Sequence, residues 1–424
     1  MKAIGSAGKT HVPPAAPVEG AQDFQASRVI TIAVGHTVHD MYASFLAPLL
    51  PTFITNLALS KTEAGLLMVF LQSPSVLQPV IGHLADKVNL RALVILGPAV
   101  TGVLMSLLGV APNYGVLALF LAIAGFSSAA FHSVAPPLAG RLAGRRLGRG
   151  IGIWMVGGEL GYTIGPILLV SATQVLGLRG LPWLMIIGVL TSLFVASRLS
   201  AAQTAPTANV YVGSWREVLP AMKPLLLPLI SITVLRSPMV ATLTTFLPVF
   251  LRDGGASLWV AGASLSILQA AGVAGALGAG SVSDSLGRKR TLALLFVAAP
   301  LCMVGFLSTH GLAQVAMLLL VGATSLCVPT VLTAFMQESF PEHRALANGV
   351  YGSMNFIIYA LAVALAGAWG DWLGLRSAFL MGAAATVAAL PLLLLLPGRT
   401  SPATSKRKDW RDGQVRANQA SHPR

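Results

Sequence analysis

Gly82-His83-Leu84-Ala85-Asp86-Lys87 follows one long apolar run, and Gly280-Ser281-Val282-Ser283-Asp284-Ser285 follows another. The two glycines and the two aspartates are each 198 residues apart. A glycine and an acid that return at one fixed offset mark an internal duplication. Around them lie apolar runs long enough to cross a bilayer, which takes about 20 residues. The runs fall near 29–51, 63–84, 91–111, 115–138, 149–175, 181–199, 223–250, 258–282, 291–309, 311–335, 345–369 and 375–397. The expected fold is all-α: twelve transmembrane helices in two pseudo-symmetric six-helix halves, 28–200 and 223–398, joined by a cytoplasmic linker at 201–222. Residues 1–27 and the basic tail 399–424 are expected to be disordered and cytoplasmic.

Composition agrees. The 424 residues are 55% hydrophobic and 10% charged, against about 25% charged in soluble domains. A net charge of +14 does not imply nucleic acid, because the basic residues sit in short bridges between apolar runs. With both ends cytoplasmic, 23 Lys and Arg fall inside and 4 outside, and Arg236 stays within the bilayer. That asymmetry sets the orientation. Cys302 and Cys327 lie in apolar segments and read as small buried hydrophobes, not as a disulfide or a metal site. No metal and no cofactor is expected. Ala7-Gly8-Lys9-Thr10 lacks the first glycine of a phosphate-binding loop, since position 3 is Ala3. The energy source expected is an ion gradient. Two six-span halves about a cavity suit alternating access, and no enzyme pattern is legible.

Ionisable groups within the spans are the default site candidates, because a charge in hydrocarbon costs roughly 3 kcal/mol or more. Asp40, Glu159 and Arg236 stand out, with His36 and His132. Counted from the nearest cytoplasmic basic residue, Asp40, His132, Glu159 and Arg236 lie roughly 14–20 Å deep at about 1.5 Å per residue. They share a level near the midplane. Asp40 is the first candidate proton carrier, His36 one turn away its relay or tuner, and Glu159 the second carrier. Arg236 is either the partner of a carboxylate, in the plainest case a static pair with Asp40, or the anchor of an anionic substrate. His132 and the face Tyr351, Asn355, Tyr359 are candidate substrate contacts or helix-packing groups. His39 points to another face and reads as packing.

The loop Gly82-x-Leu84-Ala85-Asp86-Lys87-x-x-x-Arg91 and its copy Gly280-x-x-x-Asp284-x-x-Gly287-Arg288-Lys289 resemble the conserved loop of the major facilitator superfamily. Asn89 stands where the first copy usually has Gly. The resemblance implies that Gly82, Asp86 and Arg91, with Gly280, Asp284 and Arg288, latch one conformation. It also implies a cavity lined mainly by spans one, four, seven and ten. In span five, Gly157, Gly161 and Gly165 with Pro166 resemble the motif of that superfamily's drug/proton antiporters. Spaced every four residues, these glycines line one helix face and admit a close neighbour.

A narrower resemblance, to the fosmidomycin-resistance type of efflux carrier, rests on His36-Thr37-Val38-His39-Asp40-Met41, Leu77-Gln78-Pro79 with Gly82, Phe131-His132, the span-five glycines and Gln337-Glu338-Ser339-Phe340-Pro341. Where that type often has Pro-Glu after the Phe-His of span four, this chain has Ser133-Val134. Glu159, at a position where relatives look to carry Asn, stands as the replacement carboxylate. The resemblance implies proton-coupled export of small drugs or of anionic and amphiphilic metabolites through a bacterial inner membrane. The carrier would work as a monomer, with substrate, protons and lipid as its partners. Proton-coupled uptake of an organic anion is the alternative, and a non-transporting sensor stands behind it.

Overall fold

A computed structural model describes residues 23–85, 88–199, 215–340 and 344–396. Among these the chain is helical, with no strand. The first half holds α1 (Ala26–Ala43), α2 (Leu46–Leu57), α3 (Lys61–Gln72), α4 (Gln78–Ala85), α5 (Arg91–Leu107), α6 (Tyr114–Ala143), α7 (Leu147–Leu176) and α8 (Met185–Arg198). The second holds α9 (Trp215–Ala241), α10 (Leu247–Asp253), α11 (Leu258–Leu286), α12 (Arg288–Ser308), α13 (Gly311–Ser325), α14 (Val328–Ser339), α15 (Arg344–Leu373) and α16 (Leu375–Ala388). Helices are what lipid demands, since every backbone N–H and C=O must bond within its own segment.

Eleven of the twelve expected spans are helices long and apolar enough to cross a membrane. The remaining one is α1 with α2. It carries Arg28, His36, His39 and Asp40, and it breaks at Ser44–Phe45. The broken span is therefore the one that carries the candidate site.

Turns between spans use local chemistry. The Asn113 side chain accepts a hydrogen bond from Val116 N at 3.0 Å and starts α6. Ser60 and Glu63 form a reciprocal cap at the start of α3. Gly287 and Gly374 take φ of 90° and 80°, which a side chain would strain, and so turn α11 into α12 and α15 into α16.

Span one is broken, and spans two, seven and ten each carry a local irregularity within a helix long enough to cross. α1 gives way to α2, and α3 passes to α4 through a tight turn at Ser73–Leu77. α9 passes to α10 through a π-turn at Thr242–Phe246, and α13 breaks from α14 at Leu326–Cys327. Interrupted spans free backbone groups and lend themselves to binding sites in carriers.

Packing shows where the halves meet. One apolar cluster joins Phe45, Leu49 and Leu67 of the first half to Phe246, Phe306 and Phe379 of the second. It lies at the end marked by Ser60 and Asp371. Two further clusters each belong to a single half: Val29, Val94, Phe131 and Trp154 in the first, and Leu229, Phe296, Val331 and Tyr351 in the second. At the closed end, a Cβ on Gly65 would sit 3.0 Å from Val363 O, and one on Gly262 would sit 2.1 Å from Val170 Cγ1. Ile167 N donates to Ser266 Oγ at 3.1 Å, and Trp259 Nε1 to Ser171 Oγ at 3.1 Å.

At the opposite end the halves part. Gly82, Gly152, Gly278, Gly280 and Gly352 have no atom within 4 Å of the place a Cβ would take. Among the described residues, no atom of the other half comes within 4 Å of those places at Gly82 and Gly280. Asp86 lies outside the described residues. Arg91 turns to its own half and donates to Ala196 O at 3.1 Å and to Leu199 O, holding the end of α8. Arg288 pairs with Asp284 at 2.6 Å and with Glu338 at 2.8 Å. The loop between α11 and α12 is therefore tied to the end of α14.

Asp371 closes the joined end. Its carboxylate accepts from Lys61 N at 2.7 Å, Thr62 N at 2.8 Å and Thr62 Oγ1 at 2.6 Å, so α15 caps the N-terminus of α3 across the seam. An exposed cap of this kind contributes about 0.5–1 kcal/mol. Asp371→Asn is expected to raise the population open at this end about two- to fivefold. The measurement is maleimide labelling of Ser266→Cys in a background lacking Cys302 and Cys327. Unchanged labelling would show that the cap does not hold the seam.

Candidate functional site

The glycine face of α7 lies against α1. A Cβ on Gly157 would sit 2.6 Å from Ala33 O, one on Gly161 2.4 Å from Thr37 O, and one on Gly165 2.3 Å from Met41 O. Backbone therefore meets backbone along two turns. Gly158, one residue out of that register, faces the site: a Cβ there would meet His36 Cε1 at 2.5 Å and Asp40 Oδ2 at 2.8 Å. The glycines expected to admit a neighbour do so, and the neighbour is the helix that carries Asp40.

His36 and Asp40 stand one turn apart on α1. The His36 ring stacks on Trp154 at 3.9 Å between centroids and 11° between planes. Its Nδ1 lies 2.8 Å from Trp154 O. A carbonyl accepts only, so Nδ1 carries the hydrogen and Nε2 turns to the cluster. There Nε2 lies 3.0 Å from Asp40 Oδ2 and 3.2 Å from His132 Nε2. His132, on α6, is held the same way, with Nδ1 3.0 Å from Ser128 O and Nε2 3.5 Å from Asp40 Oδ1. Side chains of His36 and Asp40 are 4% exposed and that of His132 is 20% exposed, so the cluster opens on the His132 side.

His39 is buried beside the cluster as a packing group. It stacks on Phe131 at 4.6 Å, and Thr101 Oγ1 lies 3.2 Å from its Nδ1. Sequence reading missed Trp154, Ser128 and Thr101. Trp154 had one signal, its place four residues before Gly158 on the same helix face.

The other candidates distribute differently. Glu159 is exposed on α7, and among the described residues its carboxylate forms no ion pair. It adjoins the cluster without entering it. Arg236 is buried in the second half and forms no hydrogen bond or ion pair among the described residues. A static pair between Asp40 and Arg236 is therefore not formed: Asp40 turns to the two imidazoles, and Arg236 belongs to the other half. Arg236 lines a small void with Met239, Phe296, Ser325, Val328 and Thr386, against the break between α13 and α14.

Tyr351, Asn355 and Tyr359 part ways. Tyr351 is buried near Arg236. Tyr359 bonds Thr244 at 2.8 Å and Thr245 at 3.0 Å in the π-turn. Asn355 is half-buried between them.

Two helical halves, joined at one end and open at the other around buried polar groups, define a multi-pass membrane protein of carrier type. The profile of the Major Facilitator Superfamily matches residues 32–342 and, in a second match, 293–421. The chain belongs to that superfamily. It is 24% identical over 373 residues to the fosmidomycin resistance protein of Escherichia coli (strain K12), covering 86% of this chain and 90% of that one. It is 24% identical over 306 residues to the multidrug resistance protein MdtG of Serratia proteamaculans (strain 568), covering 68% and 74%. Among solved structures, the nucleoside transporter NupG (D323A mutant) aligns with TM-score 0.72 at 14% identity, over 87% of this chain and 100% of that one. A D-xylose-proton symporter aligns with TM-score 0.68 at 13% identity, over 88% and 98%.

The α1–α7 contact generates a direct test. Gly161→Ala drives a methyl into Thr37 O and is expected to cost about 1–3 kcal/mol, seen as a lower Tm in detergent. Gly152→Ala, on the same helix with open space around it, is expected to leave Tm unchanged. Equal Tm values for the two variants would contradict the packing.

Proposed function

We propose that this chain is a secondary active carrier that exports small anionic or amphiphilic compounds by alternating access, driven by a proton gradient. The observation that carries the anionic part is Arg236. A guanidinium buried at membrane depth without an anion is costly, and an anionic group on the cargo completes it. Tyr351 beside it and the half-buried Asn355 add hydrogen-bonding capacity.

Export is supported by the similarity to the resistance proteins of Escherichia coli and Serratia proteamaculans. The proton as driving ion rests on the span-five glycines, which resemble those of drug/proton antiporters. The excess of Lys and Arg in alternate loops supports cytoplasmic termini and a bacterial inner membrane. In that orientation the open end, with Gly82 and Gly280, faces the cytoplasm, ready to load cargo for export.

Uptake of an organic anion is the second reading, since Arg236 serves it equally well. Direction separates the two. In everted membrane vesicles, export predicts accumulation of fosmidomycin on imposing a pH gradient, and loss of accumulation with a protonophore. Arg236→Gln is expected to lower it at least tenfold, and Arg236→Lys to retain part. Accumulation by right-side-out vesicles instead would replace export by uptake. Transport undiminished in Arg236→Gln would remove the anion anchor.

A further inference from the structure

We propose that His36, His132 and Asp40 form a binding site for one divalent transition-metal cation of the zinc, cobalt or nickel kind. The sequence carries no metal expectation here, and His36 and His132 stand 96 residues apart on different spans. The fold brings them together, and their chemistry then differs from that of isolated groups. This site does not depend on the direction of transport or on the nature of the cargo.

Both Nδ1 hydrogens are committed to backbone carbonyls, Trp154 O and Ser128 O. Each neutral imidazole therefore aims an Nε2 lone pair inward, toward the other ring and the carboxylate. One proton satisfies one of the three contacts and leaves an imidazole lone pair facing acceptors. Two protons set N–H against N–H across 3.2 Å. A single cation among the three satisfies them all, including Asp40 Oδ1, which is buried without a hydrogen bond.

Distances agree. Ligands about 2.1 Å from such a metal stand about 3.0 Å apart at right angles and about 3.4 Å apart at tetrahedral angles. His36 Nε2 lies 3.2 Å from His132 Nε2 and 3.0 Å from Asp40 Oδ2, while His132 Nε2 lies 3.5 Å from the other carboxylate oxygen, Asp40 Oδ1, so a cation among them is held by both rings and by both oxygens of the carboxylate. Hydrogen bonds from the far ring nitrogens to carbonyls are also what orients imidazole ligands on metals. Two nitrogens and one carboxylate favour zinc, cobalt or nickel over the oxygen-seeking calcium and magnesium. The partly exposed His132 leaves a further coordination position toward the opening, where water or an anion completes the shell.

Purified full-length protein without an affinity tag, stripped of metal, provides the test. Titration with Zn2+ by calorimetry and with Co2+ by visible absorption is expected to give one site per chain with a low-symmetry cobalt band. His132→Gln and Asp40→Asn are expected to weaken binding at least tenfold. His132→Cys supplies a replacement ligand and is expected to restore it, which separates ligand loss from misfolding. His39→Gln, a neighbour that offers no ligand, is expected to bind as the parent does. Co2+ is also expected to quench the Trp154 contribution to fluorescence, through the stack on His36, and Trp154→Phe should lose that component. Equal affinity in parent and His132→Gln would mark surface histidines as the binders and overturn the proposal. Proton release without any cobalt band would assign the cluster to protons alone and overturn it equally.

Discussion

The contact between α1 and the glycine face of α7 is the constraint on which the site depends. Asp40, His36 and the backbone of Trp154 meet only because Gly157, Gly161 and Gly165 remove three side chains from the interface. In lipid no hydrophobic force drives helices together, so close backbone packing of small residues supplies much of the attraction. Gly158 serves a different purpose on the same helix. It leaves the space that the His36 ring and the Asp40 carboxylate occupy, and a side chain there would displace both.

That local packing fits the larger division of the molecule. The first half holds a buried cluster of two imidazoles and a carboxylate, and the second holds a buried guanidinium that forms no ion pair among the described residues. Between them the halves share one apolar cluster at a single end. Nothing covalent enforces closure there. The seam relies on that shared apolar cluster, glycine contacts, a few hydroxyl hydrogen bonds and the Asp371 cap on α3, all of them noncovalent contacts that can separate. Such a seam can open while each half, with its own apolar cluster, stays intact. This is a physical prerequisite of alternating access. With Gly82 and Gly280 facing open space among the described residues, Arg91 and Arg288 make their bonds within their own halves.

Much of the architecture was legible in the chain. Apolar run length, the 198-residue repeat and the placement of Lys and Arg define twelve spans in two halves, because hydrocarbon leaves the backbone few alternatives. The span-five glycines announced a close neighbour, since a four-residue period of small side chains has little other use. Asp40, His36 and Arg236 were conspicuous because charge at that depth is costly. Which groups pair was decided by the tertiary structure alone. Asp40 meets His132 rather than Arg236, Glu159 stays exposed, and Tyr359 engages a π-turn that no periodicity announces. Spacing along one helix specifies a face, but not the rotation of that helix against its neighbours. That rotation follows from backbone contacts at a handful of glycines, and it determines which polar groups share a site.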